Sequence, residues 1–547
     1  MAISRARVRL LFALFAALLA VAAIRAADLG LLQGSHLSAV AQGEQVSVTT
    51  TVATRGAILD RNGDALALTE PGDDIEAYAV RRPYHAAVEL APLLHQSIAS
   101  LAGKLSRHRG FQYLARQLPA ATAKRIEALD LTGISLATDN YRYYPFGTLA
   151  GQLLGGVHLD GAGAGGIEAE LQRRLAGRDG LVSTVYANGG KPISVDIERR
   201  VEDGATVKLT IDAALQREAE SVLARVGRIY DPASATAIAL NPQSGAVLAL
   251  ANWPSADPND PGTGANWRDS AIALNYEPGS TFKIVALGGA LSEGLIAPST
   301  QFYVPSVLRF DTRMIHDSSP HPDETLTTTQ IIAQSSNIGA VEIGQKLGAT
   351  AFHEWTRRFG FGAATGIDLP GEESGIVPPL SDYTNFSMGN LPFGQGESVT
   401  PIQLANAYAA IANGGILRPP HVVAAIGGVP VRRPAGTRIL TPHVAAEMRA
   451  ILESVLEPGG TAAEISIPGY TLAGKTGTAN IAVNGTYSHT KYVASFVGFA
   501  PAQHPRIEIL VVVDQPQGSA VYGTDAPAHA WRSIMTWALR YLEIAPR

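Results

Sequence analysis

The first apolar feature of the chain is an unbroken run, LLFALFAALLAVAAI, from Leu10 to Ile24. Three arginines precede it, at positions 5, 7 and 9. Such a run is typical of a membrane-spanning helix or of the apolar region of a secretory signal. Basic residues before the run hold that end in the cytoplasm, so the rest of the chain is expected outside the cytoplasmic membrane.

Two interpretations of this segment remain open from hydropathy alone. Ala20-Val21-Ala22 is an acceptable signal-peptidase site, which favours a cleaved secretory signal. Alternatively the span covers residues 10–32 as a single-pass anchor, with residues 1–9 in the cytoplasm and Arg25 and Asp28 near the outer interface. Both place the residues after about 33 beyond the membrane.

Between residues 33 and 200 the pattern changes several times. Alternation over 48–70 predicts strand, turn and strand, with the turn at Asn62-Gly63. Apolar residues at three- and four-residue spacing predict helices over 85–127. The GAGAGG stretch at 161–166 invites a nucleotide-loop interpretation, but no apolar strand leads into it and Asp160 precedes it. We therefore expect a loop before a helix at 167–175.

After residue 200 the pattern predicts a second domain with strands at its flanks and helices in its middle. Asp212 is placed to cap a helix, and Pro242-Gln243-Ser244-Gly245 joins two apolar strands in a hairpin. Thr400-Pro401-Ile402-Gln403 is a capping box for a helix that Gly414 ends. The last elements are two more strands and a helix over about 527–542. We place the domains at 33–200 and 201–547.

Composition narrows the function classes. The 547 residues are 46% hydrophobic and 17% charged, which is typical of a globular protein of two or three domains. The net charge of −5 argues against nucleic-acid binding. The chain has no cysteine, which excludes disulfides, cysteine-ligated zinc and thiol catalysis.

The stretch NYEPGSTFK places Ser280 at a predicted helix N-terminus and Lys283 one turn later on the same face. In isolation this favours an N-cap serine beside a surface lysine. A second Ser-x-x-Lys, Ser488 to Lys491, lies in a polar stretch that leads into a strand, where residues three apart do not share a helix face. The spacing alone therefore does not identify a nucleophile.

Two further motifs follow in order, Ser335-Ser336-Asn337 between helical runs and Lys475-Thr476-Gly477-Thr478 on a predicted strand. Each alone has a structural explanation, as a polar helix junction and as a sheet edge. Together with Ser280 and Lys283 they form the set found in serine β-lactamases and penicillin-binding proteins. No Gly-x-Ser-x-Gly elbow offers a Ser-His-Asp alternative.

The chemistry gives each residue a role. Lys283, with its pKa lowered by burial or by the second cation Lys475, is the candidate base for the Ser280 hydroxyl. Ser335 is the candidate proton relay, and Asn337 the candidate holder of a substrate amide.

The strand motif supplies the candidate binding groups. The N–H groups of Ser280 and Thr478 are candidates for an oxyanion hole. Thr476 and Thr478, with Lys475, suit a substrate carboxylate. Gly477 is expected where backbone or ligand approaches closely.

These motifs lie among longer segments that resemble the class B penicillin-binding proteins. The segments are RGAILDRNGDALA (55–67), GGIEAELQRRLAGRDG (165–180), LTIDAALQ (209–216), ALNPQSGAVLALANWPSADPN (239–259), YEPGSTFK, SSNIG, LPFGQGESVTPIQLANAYAAIANGG (391–415), AGKTGTA (473–479) and SFVGFAP (495–501). The resemblance implies an α/β fold: a penicillin-binding, serine β-lactamase-like transpeptidase domain whose antiparallel sheet is flanked by helices. It also implies an elongated α+β N-terminal pedestal of the dimerisation type and one retained transmembrane helix.

The resemblance further implies peptidoglycan D,D-transpeptidation at D-Ala-D-Ala stem peptides with an amine acceptor, and β-lactams as covalent inhibitors. It implies no metal and no cofactor. The protein would lie in the cytoplasmic membrane with its catalytic domain on the extracytoplasmic side. YEPGSTFK and the moderate length favour the septal, FtsI-type branch, which works with an FtsW-type glycan polymerase and other division proteins.

Three alternatives stay open. One is an elongation-type transpeptidase. Another is a hydrolase, either a D,D-carboxypeptidase or a β-lactamase, although the Glu-x-x-Leu-Asn pattern of class A β-lactamases is missing from the sequence. The third is a non-catalytic penicillin sensor, against which the intact motifs argue.

Overall fold

The computed structural model describes residues 5–33, 46–107, 110–186, 191–260, 267–483, 486–518 and 522–546. The chain divides into two compact units: Met1–Thr54 with Gly177–Gly204, and Arg55–Ala176 with Ala205–Arg547. The first four residues of the predicted cytoplasmic segment 1–9 lie outside the described residues.

The strands of the described residues are β1 (Val46–Thr51), β2 (Ile58–Leu59), β3 (Ala65–Ala77), β4 (Gln112–Pro119), β5 (Ile134–Tyr143), β6 (Gly180–Tyr186), β7 (Pro192–Arg199), β8 (Val207–Leu209), β9 (Ser234–Asn241), β10 (Ala246–Trp253), β11 (Gln301–Val304), β12 (Leu308–Phe310), β13 (Arg313–Ile315), β14 (Glu324–Thr327), β15 (Ile416–Leu417), β16 (Val423–Ile426), β17 (Val429–Pro430), β18 (Thr437–Arg438), β19 (Ala473–Val483), β20 (Thr486–Ala500) and β21 (Ile507–Asp514). The α-helices are α1 (Arg5–Ala27), α2 (Pro83–Leu94), α3 (Ile98–Arg107), α4 (Ala120–Glu127), α5 (Gly151–Leu154), α6 (Gly166–Glu170), α7 (Gln172–Leu175), α8 (Ala213–Tyr230), α9 (Ser270–Ala273), α10 (Ile284–Ser292), α11 (Thr328–Ala333), α12 (Asn337–Leu347), α13 (Ala349–Arg358), α14 (Pro401–Ala412), α15 (Pro442–Glu453) and α16 (Ala526–Tyr541).

The smaller unit contains α1 and a three-stranded sheet of order β1-β6-β7. One π-helical turn, Asp28–Leu32, extends α1, and the segment Val8–Leu31 is long and apolar enough to cross a membrane, with a mean hydropathy of 2.4. The predicted span therefore coincides with a continuous helix. The expectation that the strand starting near residue 48 pairs across Asn62-Gly63 is wrong, because β1 pairs with β6.

The turn at Asn62-Gly63 itself is confirmed, and it joins β2 to β3. One oxygen of the Asp60 carboxylate accepts the backbone N–H groups of residues 62, 63 and 64. A seven-stranded sheet then runs β17-β16-β8-β2-β3-β4, with β5 also on β3. Residues before and after position 200 share this sheet, and the boundary placed there stays a prediction.

The helical prediction for 85–127 is wrong over Gln112–Pro119, which forms β4 beside β3. Leu114 and Leu118 are four residues apart, a spacing that suits a helix as well as a strand. Leu114 is buried in the core cluster that contains Ile75 and Leu90. Pairing with β3 therefore decides the conformation. The helix expected at 167–175 is present as two short helices, α6 and α7, and the GAGAGG stretch leads into the first of them.

The larger unit also contains a five-stranded antiparallel sheet of order β10-β9-β21-β20-β19. The hairpin through Pro242–Gly245 and the two strands expected near the end of the chain are confirmed in this sheet. The final helix is confirmed as α16. β19 lies at the edge of this sheet, so one of its sides is open to a neighbouring segment. The helix α10 has no polar side chain before its last residue, Ser292, and it is buried over all but that residue.

Both predicted helix caps are confirmed. The Asp212 carboxylate accepts the N–H groups of Ala214 and Leu215 at the start of α8. Thr400 and Gln403 form a reciprocal capping box at the start of α14. Gly414 follows that helix with a φ of +85°, a conformation that favours glycine.

Candidate active site

Ser280 lies in a 3₁₀ turn, Gly279–Lys283, that leads directly into the buried helix α10. The prediction that Ser280 caps this helix is wrong. Pro278 occupies the N-cap position of the 3₁₀ turn and Lys283 that of α10, and no side chain makes a capping hydrogen bond at either position. The Ser280 hydroxyl therefore makes no capping hydrogen bond.

Several contacts hold this turn in place. The Thr281 hydroxyl donates to the carbonyl of Pro278 at 2.8 Å, and the buried Tyr408 hydroxyl donates to the carbonyl of Thr281 at 2.8 Å. Gly279 has a φ of +55°, and a Cβ there would lie 2.6 Å from the carbonyl oxygen of Thr478. Glycine at 279 thus lets the serine turn pack directly against β19.

Lys283 is the last residue of the serine turn, and it is only 1% exposed. Its Nζ donates to the Ser335 carbonyl at 2.6 Å, to Asn337 Oδ1 at 2.9 Å and to Ser335 Oγ at 3.3 Å. Burial lowers the pKa of Lys283 to about 7, and the nearby charge of Asp317 acts in the opposite direction. In about half of the molecules the Lys283 amine is therefore neutral near pH 7, and the neutral amine can accept a proton.

Lys475 lies on β19 and is fully buried. Its Nζ donates to Ser335 Oγ at 2.9 Å and to the carbonyl of Thr476 at 3.2 Å. Burial, and then the charge of Lys283, lower the pKa of Lys475 well below its usual value. The Ser335 hydroxyl thus lies between two buried amines.

The Ser335–Asn337 motif forms the junction between α11 and α12, as its sequence predicts. Ser335 has a φ of +61°, which is uncommon for a residue with a Cβ and costs of order 1–3 kcal/mol. Ser336 caps α12 by accepting the N–H of Gly339 at 2.9 Å. Because Ser336 makes the cap, the side chains of Ser335 and Asn337 are free to contact the lysines.

The strand motif lines the opposite side. The hydroxyl groups of Thr476 and Thr461 lie 3.3 Å apart, and Thr478 Oγ1 accepts the N–H of Gly523 at 3.0 Å. A Cβ on Gly477 would lie 2.4 Å from Ser495 Oγ. The close approach expected at Gly477 is therefore made by the chain's own packing.

A cleft of about 1170 Å³ opens above these groups. Five of the predicted residues line it: Ser280, Ser335, Asn337, Thr476 and Thr478. Lys283 and Lys475 lie beneath these five residues and make hydrogen bonds with some of them. The second Ser-x-x-Lys is not part of the cleft, because Ser488 and Lys491 lie along β20, where the Ser488 hydroxyl accepts the N–H of Lys491.

Comparison with known proteins identifies the family of this chain. Residues 235–536 match the penicillin binding protein transpeptidase domain, and residues 50–209 match the penicillin-binding protein dimerisation domain. The chain belongs to the class B penicillin-binding proteins. This is a family of peptidoglycan D,D-transpeptidases.

Three relatives illustrate the range of the family. Stage V sporulation protein D of Bacillus subtilis is 33% identical over 90% of this chain and 79% of its own length. Peptidoglycan D,D-transpeptidase FtsI of Escherichia coli is 32% identical over 90% of this chain and 84% of its own. The structure of penicillin binding protein 3 from Mycobacterium tuberculosis complexed with ampicillin is 28% identical, with a TM-score of 0.73 over 91% of this chain and 97% of that one.

The structure adds groups to this candidate site that the sequence did not single out. The Asp317 carboxylate accepts the N–H of Asn337 and, at 3.0 Å, that of Ile338. Thr461 and Gly523 each contact a threonine of the strand motif. These residues are far from the motifs along the chain, and no local pattern distinguishes them from other polar residues.

Proposed function

We propose that this class B penicillin-binding protein forms its acyl-enzyme on Ser280, with Lys283 as the base for that step. The observation that carries the proposal is the buried amine pair around Ser335, directly beneath the cleft that Ser280 lines. A lysine with a pKa of about 7 can take the serine proton at neutral pH, which an ordinary lysine cannot.

In the proposed first step, Ser280 Oγ attacks the carbonyl carbon of the penultimate D-alanine of a stem peptide. The serine proton moves to Lys283, and the bond to the terminal D-alanine breaks. That D-alanine leaves as a free amino acid after its nitrogen gains a proton. Ser335 lies between both amines, which supports its assignment as the relay for this proton.

In the second step, an amine of a neighbouring stem peptide attacks the ester carbonyl. A new amide forms, the bond to Ser280 Oγ breaks, and the serine regains a proton. A β-lactam would undergo the first step only, because its ring opens without releasing a leaving group and leaves a stable ester. Water in place of the amine would give a carboxypeptidase, which is the hydrolytic alternative.

The strand motif supports the proposed binding roles. We assign the N–H groups of Ser280 and Thr478 to the oxyanion, since the serine turn and β19 pack against each other at Gly279. Thr476 and Thr478 line the cleft, where their hydroxyls suit the substrate carboxylate, with Lys475 below. Asn337 is assigned to the substrate amide.

The test is a D-alanine release assay with the purified chain, a stem pentapeptide ending in D-Ala-D-Ala, and an amine acceptor. We expect release of D-alanine and an amide product whose yield depends on the acceptor, and neither with Ser280→Ala. Release of D-alanine with only hydrolysed product would favour the carboxypeptidase. Rapid turnover of penicillin would favour a β-lactamase, and no release at all would favour a sensor.

We also propose a septal role, with the N-terminal helix retained as an anchor and the catalytic domain on the extracytoplasmic side. The apolar helix over Val8–Leu31 supports the anchor, and the similarity to E. coli FtsI supports the septal branch. An FtsW-type polymerase would then be the partner. A fluorescent fusion should concentrate at midcell in dividing cells; an even distribution along the side wall would favour the elongation type instead.

A further inference from the structure

Asp317 lies outside every motif of the site, in the loop after β13, yet its side chain is only 10% exposed and lines the catalytic cleft. One oxygen of its carboxylate accepts the N–H groups of Asn337 and Ile338, the first two residues of α12. Carboxylates at this position stabilise a helix through both hydrogen bonds and the helix dipole. Asp317 therefore holds the start of the helix that carries Asn337.

The same loop also holds the Asn337 side chain. Its Nδ2 donates to the carbonyl of His316 at 3.1 Å, while its Oδ1 accepts from Lys283 Nζ at 2.9 Å. The contact with His316 fixes the orientation of the amide group, so that its oxygen points toward Lys283. The His316-Asp317 pair thus connects, through Asn337, to the proposed base.

Charge provides a second connection. The charged groups that face Lys283 are Lys475 from β19 and Asp317 from the loop. The group that faces Asp317 in turn is His321, whose Nε2 lies 3.2 Å from Asp317 Oδ2. The other ring nitrogen of His321, Nδ1, lies 3.1 Å from Glu324 Oε1. Asp317 raises the pKa of Lys283 against the larger effect of burial.

We propose that Asp317 is a positioning residue of the transpeptidase site, which orients Asn337 through the first turn of α12 and supplies the negative charge that tunes the Lys283 base. The inference rests on the proposed role of Lys283. The Asp317 carboxylate makes two separate contributions. The first is a pair of hydrogen bonds, which asparagine can retain, and the second is a charge, which asparagine lacks.

The experiment measures the acylation rate constant with a fluorescent penicillin between pH 5 and 9, for the full chain and for two variants. Asp317→Asn keeps an acceptor for the helix N–H groups, so we expect a maximal rate within about threefold of the parent. Loss of the charge lowers the pKa of Lys283, so the rising limb should move to lower pH by about half to one unit. Asp317→Ala should show the same shift and a maximal rate about tenfold lower.

The matched control is Asp323→Asn on the same loop, whose carboxylate accepts the N–H of Ser306 and the Tyr303 hydroxyl instead. The rising limb of its pH profile of acylation should coincide with that of the parent. An Asp317→Asn limb within about 0.2 units of the parent would overturn the proposal, and so would an equal shift in the control. If Asp317→Ala fails to fold, the asparagine variant decides alone. A parent chain that never acylates would refute the proposed function itself, a separate result.

Discussion

Two buried clusters of cations lie in the larger unit, and they differ in what surrounds them. In the first, Arg55 and Arg142 contact opposite oxygens of the Glu168 carboxylate, at 2.6 and 2.7 Å. In the second, Lys283 and Lys475 share the Ser335 hydroxyl, and their hydrogen-bond partners in the described part of the chain are uncharged oxygens. Both clusters are almost completely shielded from water.

The difference separates a structural ion cluster from a reactive one. The fork of donors of an arginine matches a carboxylate, so the first cluster joins distant segments through two close ion pairs. Lysine loses its proton more readily when it is buried, and the charge of Asp317 offsets the burial of Lys283 only in part, so the second cluster keeps a neutral amine available near pH 7. Burial of a positive charge is therefore no sign of reactivity until its counter-charge is known.

The largest effect is expected at the lysine cluster. Lys283→Met removes the proposed base while keeping an unbranched side chain, and the acylation rate by penicillin should fall about 10³-fold. Lys491→Met, in the second Ser-x-x-Lys, is the matched control and should leave the rate unchanged. Stopped-flow fluorescence with a labelled penicillin measures both. A rate within tenfold of the parent would assign the base to another group.

The arginine cluster should respond in stability instead. Glu168→Gln leaves two buried guanidinium groups without their anion, which should lower the free energy of unfolding by about 3–5 kcal/mol. Urea denaturation followed by tryptophan fluorescence measures this change. Glu170→Gln, an exposed neighbour on the same short helix, should change it by less than about 0.5 kcal/mol. Equal losses in the two variants would contradict the structural role of the cluster.

The pH dependence distinguishes the clusters next. Because the Lys283 pKa lies at about 7, its neutral fraction and the acylation rate should rise about tenfold from pH 6 to pH 8. Glu168→Gln should keep the same midpoint in whatever protein remains folded. A rate that is flat over this range, or that falls as pH rises, would show that the neutral amine is not the reactive form.

The smallest effect is expected from Lys283→Met on stability. The folded-state pKa of Lys283 lies below its unfolded value, so the proton is penalised in the fold, and this loss of stability is complete below about pH 7. Methionine removes that penalty but leaves the Ser335 carbonyl and Asn337 Oδ1 without their donor. The two effects oppose each other, and the midpoint of thermal unfolding at pH 7 should change little. A loss as large as that of Glu168→Gln would mean that the lysine is structural.

Much of the site could be predicted because hydrophobic patterns flank its motifs. The apolar runs on either side of Ser335–Asn337 predict two helices with a junction, and those around Lys475–Thr478 predict a strand. The local conformation at Ser280 could not be predicted, because serine favours the N-cap position and only the packing of Gly279 on β19 moves that position to Pro278. β4 was missed for a related reason: its spacing suits both helix and strand until β3 lies beside it.

Glu168 and Asp317 show a second limit of prediction from the sequence. Glu168 meets Arg55 across more than a hundred residues, and Asp317 meets Asn337 across the strand β14 and the helix α11. Neither position carries a local pattern, because the partner is supplied by the tertiary fold. Reactive residues occur in short motifs, whereas the residues that position them are scattered along the chain.

The central claim is that Ser280 carries the acyl group and that the lysine cluster serves it. Intact-protein mass spectrometry after incubation with penicillin, followed by peptide mapping, tests this directly. One penicilloyl adduct on the peptide containing Ser280, and none in Ser280→Ala, is the predicted result. An unmodified parent chain, or an adduct that persists in Ser280→Ala, would contradict it.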